Sequence, residues 1–147
     1  MIKEISKNLW DFNPNEYYRI ITTNRNLNKD SIAIMGKGIA LQAKQKYPLL
    51  PSALADHLKS WGNTVALFEH YKIITFPTKE NWWEKSTHEI IERSCDQLND
   101  LCYELSMNLS DENYEKISEN YSEYKPKTRN PIKIVMPAVG CQNGGLS

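Results

Sequence analysis

The chain lacks any surplus of charge. Eighteen basic side chains face eighteen acidic ones, and the formal net charge is +0. Proteins that live on duplex nucleic acid carry a basic excess, so there is no strong sign of binding to unmodified nucleic acid. Cysteine is scarce: three in 147 residues, with neither the number nor the spacing of a disulfide framework or a zinc site. Cys95 and Cys102 are seven residues apart, share one face of an expected helix, and are expected in the core. His57, His70 and His88 are dispersed, with no spacing for a metal or a triad, so neither metal nor cofactor is expected. No apolar run approaches membrane-spanning length. The start, Met1-Ile2-Lys3-Glu4, has no signal-peptide stretch. No membrane partner and a reducing, cytoplasmic setting are the expectation. Internal repeats and low-complexity tracts are absent.

What is present reads as one α/β domain over residues 1–147. Ile2 to Ile5 and Tyr17 to Thr23 have strand character, the second β-branched and aromatic. Gly38 to Tyr47 reads as a helix ended by Pro48. Ser52 is the expected N-cap of a second helix to Trp61, with Gly62 as its C-cap. Val65 to Phe68 and Tyr71 to Phe76 predict a hairpin turning near Glu69-His70. Apolar residues from Ile90 to Leu105 recur at three and four positions, which predicts a long amphipathic helix capped by Ser86 or Thr87. A weaker helix is expected from Ser110-Asp111 to Tyr121, and a last strand over Ile132 to Met136. Residues 104–131 read as an acidic, helical insertion: from Glu104 to Tyr124 six acids stand against one lysine, so the rest of the chain is net basic and suits an anionic ligand. Strands separated by helices predict a layered sheet with helices on both faces. In such sheets ligands bind beyond the carboxyl ends of strands.

Two glycine-bearing loops, about a hundred residues apart, carry the chemistry. Met35-Gly36-Lys37-Gly38 opens an apolar helix, and Gly140-Cys141-Gln142-Asn143-Gly144-Gly145 follows the last strand. Glycine lets backbone amides approach an anion, and a helix start adds unpaired N–H donors. Together the loops suit a diphosphate. The first alone is neither a phosphate-binding Walker loop nor a full dinucleotide fingerprint. Asn24, at a strand end, fits either a ribose hydroxyl or a plain Asx turn. Lys79 ends another strand, with Trp82 and Trp83 close by; it is either a surface lysine or an amine shielded enough to act as a nucleophile on a sugar carbon. The tryptophans either pack or stack on a ring. Nothing in the sequence chooses among the acids Asp11, Asp30, Glu80 and Glu84.

Taken together, these segments resemble the macro domain family of ADP-ribose binders. The resemblance runs through Asn8-Leu9-Trp10-Asp11, Ile21-Thr22-Thr23-Asn24, Ile34 to Gln42, Phe76-Pro77-Thr78-Lys79 and Pro137 to Leu146, in family order over nearly the whole chain. Within the family the blocks look most like the branch of terminal ADP-ribose protein glycohydrolase and of the antitoxin that removes ADP-ribose from thymidine. The resemblance implies a three-layer α/β/α fold with a central mixed sheet. It implies Asn8 and Leu9 beside the adenine, Met35 to Ile39 and Gly140 to Gly145 around the diphosphate, Asn24 at the distal ribose, and Lys79 as the catalytic lysine that attacks the anomeric carbon. The implied partner is ADP-ribose or an ADP-ribosylated macromolecule. The implied activity is hydrolysis of an ADP-ribosyl linkage; a non-catalytic binding module and an ADP-ribose 1″-phosphate phosphatase are the alternatives.

The chain departs from the pattern in four places. Lys7-Asn8 stands where many macro domains have Gly-Asp, so Asn8 replaces the acid that takes the adenine amino group. Gln142 stands where glycine is common. Gly144 fills the position of a loop acid used by some glycohydrolases, which favours a lysine-only mechanism. Relative to the family, a closing helix and strand would be missing after Ser147.

Overall fold

The computed structural model describes residues 2–4, 8–108 and 133–137. Five strands form one mixed sheet in the order β1-β5-β2-β4-β3. They are β1 (Ile2–Glu4), β2 (Tyr17–Thr23), β3 (Ala66–Phe68), β4 (Ile73–Pro77) and β5 (Lys133–Met136). β1, β5, β2 and β4 run parallel; β3 is antiparallel to β4. In register, Ile20 faces Ile74 and Thr23 faces Pro77, while Arg19 sits between Ile73 and Val135. The carboxyl ends of β2, β4 and β5 therefore open on one edge of the sheet.

The alternation of side chains along each strand divides the core in two. Ile21, Ile73 and Val135 point to one face, where helices α1 (Gly38–Lys46) and α2 (Leu50–Trp61) cover them with Ala40, Ala43, Leu50, Leu54 and Ala55. Ile20, Ile74, Phe76 and Ile134 point to the other, against Leu98 of α3 (His88–Asn108). Helices on both faces make the three-layer α/β/α arrangement. Because β2 and β4 are central, their apolar residues are buried on both faces, as continuous apolar runs in parallel sheets require. Each such aliphatic side chain contributes roughly 1.5–3 kcal/mol.

Helix boundaries follow local chemistry. Tyr47 leaves the helical region ahead of Pro48 and ends α1, as the steric restriction before proline dictates. Gly62, at φ 76, ends α2. Thr87 Oγ1 accepts the Ile90 N–H at 3.2 Å and caps α3. The β3–β4 hairpin turns through Glu69–Tyr71, with Lys72 at φ 55 and in contact with Glu69.

Two expectations are corrected. Ser52 does not cap α2, which starts at Leu50 with Pro51 in its first turn. Proline is pre-set for that position and needs no donor there. Cys95 is exposed rather than in the core. The inward face of α3 runs through Ile91, Ser94, Leu98, Leu101 and Cys102, so the buried neighbour is Ser94, whose hydroxyl donates to Pro77 O at 2.6 Å. The first residues of the expected acidic insertion, from Glu104, belong to α3. The rest of it, including the expected helix to Tyr121, and the loop from Gly140 to Gly145 lie outside the described residues.

Candidate functional site

Three things meet at the carboxyl edge of the parallel strands: the connection after β2, which leads to α1; the connection after β4, which carries Lys79; and Pro137 after β5. The first connection is built on asparagines. Asn24 Oδ1 accepts the Asn26 N–H at 2.8 Å and Asn24 Nδ2 donates to Ile34 O at 3.3 Å. Asn28 Oδ1 accepts from both Asp30 and Ile32. These Asx turns fold the segment back, with Leu27 bridging Ala33 and Ile34 N–H donating to Asn26 O at 2.9 Å. Asn24 thus holds its own loop.

The fold-back ends in Met35, whose side chain is 2% exposed and belongs to the core. Gly36 and Lys37 come next, both exposed. A Cβ placed on Gly36 meets nothing within 4 Å, so the space above its backbone is open. Gly38 adopts φ 57, a left-handed conformation that costs glycine nothing. Lys37 caps α1 with no side-chain hydrogen bond. The first intrahelical bond is Leu41 N–H to Lys37 O at 3.2 Å, which leaves the amides of Gly38, Ile39 and Ala40 ahead of the ladder. This end of α1 offers an anion N–H donors, the helix dipole and an ammonium.

Lys79 lies across from that helix start. Partial burial lowers its pKa, and the charge of Lys37 lowers it further. Glu80, next in the chain, ion-pairs with Arg25 at 3.5 Å and Arg93 at 3.1 Å. Glu84 accepts from the Asn81 backbone and side chain. Those two carboxylates are committed to holding the loop. A cleft of about 270 Å³ lies on the α3 side of the loop, walled by Glu80, Glu84 and Glu89 with Lys85 and Arg93. Its three carboxylates do not suit a diphosphate.

At the far end of the edge, Leu9 is buried in the core. Asn8 is exposed and caps the helical turn Leu9–Asp11, its Oδ1 accepting the Trp10 N–H at 3.0 Å. The oxygen that would receive an adenine amino group is therefore shared with Trp10. Trp10 Nε1 donates to Gln42 Oε1 at 2.8 Å, tying this turn to α1.

The chain matches no protein-family model, and no curated protein sequence matches it. Solved structures do match. The macrodomain of Mycobacterium tuberculosis DarG superposes with a TM-score of 0.67 over 100% of this chain and 82% of its own, at 25% identity. The chain has the macro-domain fold. The macrodomain of Thermus aquaticus DarG follows at TM-score 0.58 and 21% identity, covering 94% of this chain and 98% of its own. Thermosipho africanus DarTG in complex with ADP-ribose gives 0.52 and 20%, covering 89% of this chain and 31% of that one.

Of the residues the sequence singles out, Asn24, Gly36, Lys37, Gly38, Ile39 and Lys79 stand along one edge, with Asn8 on the turn tied to α1. Met35 and Leu9 supply core side chains instead. Gly140, Cys141, Gln142, Asn143, Gly144 and Gly145 lie outside the described residues. Trp82 and Trp83 are exposed and pack edge to face on each other, ring centroids 5.6 Å apart, rather than in the core. The sequence reading missed Asn26, Asn63 and Asn81. Asn26 Nδ2 donates to Asn81 Oδ1 at 2.9 Å and Asn26 Oδ1 accepts the Trp82 N–H at 2.7 Å, joining the two loops. The signal for Asn26 was the alternation Asn24, Asn26, Asn28, which is Asx-turn chemistry repeated.

Proposed function

We propose that this macro domain binds ADP-ribose along the carboxyl edge of the sheet and hydrolyses an ADP-ribosyl linkage on a macromolecule, with Lys79 as nucleophile. The reading of the ligand is supported by the likeness to the DarG macrodomains and to a DarTG structure that holds ADP-ribose. The single observation that carries the chemistry is a half-buried lysine at a strand end with its pKa lowered beside a second cation.

The atoms then have defined roles. The diphosphate sits against the start of α1, where Lys37 and the leading amides offset its charge. The neutral Lys79 Nζ attacks the anomeric carbon of the distal ribose. The bond to the target breaks, its electron pair leaves with the target atom, and the proton shed by the amine passes to that leaving group. Water then attacks the same carbon and the lysine departs with its pair, so one water is consumed and the amine is regenerated. A bound diphosphate raises the pKa of Lys79 both by attraction and by offsetting the charge of Lys37, so partial burial is the cause that still favours the neutral amine.

Replacing Lys79 by alanine tests this directly. Calorimetry should show ADP-ribose bound as before, and release of ADP-ribose from modified protein or DNA should cease. Unchanged release removes Lys79 from the mechanism. One observation favours a second reading, a non-catalytic ADP-ribose reader: Glu80 and Glu84 are both engaged in holding the loop, so neither stands ready to activate water. Tight binding with no turnover of modified protein, modified DNA or ADP-ribose 1″-phosphate decides for that reading; turnover of the phosphate ester alone makes the site a phosphatase.

A further inference from the structure

The loop that carries Lys79 is held by its carbonyl groups. Four consecutive carbonyls accept hydrogen bonds from four separate places: Pro77 from Ser94 Oγ of α3 at 2.6 Å, Thr78 from the Thr87 N–H at 3.3 Å, Lys79 from Asn63 Nδ2 at 3.1 Å and Glu80 from the Arg25 N–H at 2.9 Å. Surface connections commonly leave such groups to water. The donor on Lys79 itself is a side chain from the connection between α2 and β3, and that connection is fixed in turn. Gly62 N–H closes on Leu58 O at 2.9 Å, Thr64 N–H returns to Gly62 O at 2.9 Å, and His57 Nε2 lies 2.8 Å from Thr64 Oγ1. Asn63 stands between these anchored residues. Its Oδ1 is buried with no hydrogen-bond partner among the described residues. An unsatisfied buried acceptor weakens a fold, so stability alone does not account for an amide here, whereas its bond to Lys79 does.

We propose that Asn63 is a positioning residue for Lys79, its amide fixing the backbone from which the lysine side chain reaches the strand edge. The inference rests on reading Lys79 as the reacting amine. Among the described residues, the charge that lowers the Lys79 pKa is that of Lys37 at the start of α1, while Glu80, next in its own loop, is paired with Arg25 after β2 and Arg93 of α3. The α2–β3 connection contributes a neutral amide. Without it the lysine side chain gains freedom to turn toward solvent and away from Lys37. Both causes that hold its pKa down then weaken, and the pKa rises.

Asn63→Leu and Asn63→Ala, each in the full chain, test this with two readouts. The first is the titration of Lys79 after reductive methylation with labelled formaldehyde, followed by NMR without substrate. Its midpoint should move to higher pH in both variants. The second is turnover, where kcat should fall roughly tenfold or more with KM little changed, the signature of a misplaced reacting group. Asn63→Leu should keep the parent's thermal midpoint, since it removes an unsatisfied acceptor. A Lys79 midpoint that stays put in either folded variant overturns the proposal, as does a loss of thermal stability with kcat intact. Full turnover by a Lys79→Ala protein overturns the catalytic reading instead, and the substrate-independent titration still decides on Asn63.

Discussion

The Arg19 guanidinium donates to the Tyr47 hydroxyl at 2.8 Å in an interior that leaves the arginine 1% exposed. It also donates to Tyr71 O at 2.6 Å and lies 5.3 Å from the centre of the Trp10 ring. No salt bridge to a carboxylate is formed among the described residues; aromatic faces and a carbonyl dipole offset the charge. The same group links the sheet to α1 and to the Leu9–Asp11 turn at the end of the candidate site.

Replacing Arg19 therefore affects stability and the site together. Arg19→Ala empties a large buried volume and should cost about 3–5 kcal/mol, as large-to-small core changes do. Arg19→Met keeps most of the volume and removes the Nε that is buried without a partner among the described residues, so it should cost less, about 1–2 kcal/mol. Urea denaturation with an unchanged m-value measures both. Equal losses in the two variants would show that packing of the aliphatic stem is not the main term.

Arg19 also shows where sequence reasoning stops. A lone arginine in a β-branched run reads as a strand residue, and the strand was legible: Tyr17 to Thr23 is β2 to the residue. That the guanidinium is buried depends on Trp10, Tyr47 and Tyr71, which are distant in the chain. The same division holds elsewhere. Gly62 and Thr87 were legible as helix boundaries because capping is local. Asn63 was not, because its partner Lys79 is sixteen residues away and the bond uses a backbone carbonyl that no sequence pattern marks. Lys79 and the Gly36 loop were singled out by their place at a strand end and a helix start and by family resemblance, but that Lys37 and Lys79 lie near each other required the sheet edge that brings them together.

The charge of Lys37 adds to burial in holding the Lys79 pKa down. A neighbouring cation disfavours the protonated amine, so removing it raises the Lys79 pKa. In Lys37→Gln the ascending, acid-side limb of the pH–rate profile should shift to higher pH, and turnover at neutral pH should fall. Binding of ADP-ribose should also weaken and lose part of its salt dependence. A pH profile that does not move would separate the two lysines.

His57 predicts a pH dependence of folding. Its pKa is held below the ordinary 6.5, chiefly by burial, with the Thr64 contact opposing the shift. Between the folded value and 6.5 the unfolded chain binds more protons than the native one, so stability rises with pH across that window. It is fully present above 6.5 and lost as pH falls through the folded value. His57→Gln should flatten this part of the curve of thermal midpoint against pH between about 5 and 7.5. An unchanged slope would place the titrating group elsewhere.

The two glycines before α1 separate ligand demand from fold demand. Gly38 sits at φ 57, so Gly38→Ala should destabilise the chain by about 1 kcal/mol through backbone strain. Gly36 has no positive φ, and an added Cβ meets nothing within 4 Å. Gly36→Ala should therefore leave stability unchanged, or raise it by about 0.4–1 kcal/mol by restricting the unfolded chain. If a diphosphate lies against this backbone, the added methyl group occupies the space the phosphate needs. Affinity for ADP-ribose should then fall by roughly tenfold or more, since about 1.4 kcal/mol of lost contact is a factor of ten. Thermal denaturation beside calorimetry reads both quantities on one protein. A Gly36→Ala variant that binds as tightly as the parent would move the diphosphate off the start of α1, because open space at that glycine would then have no occupant to explain it.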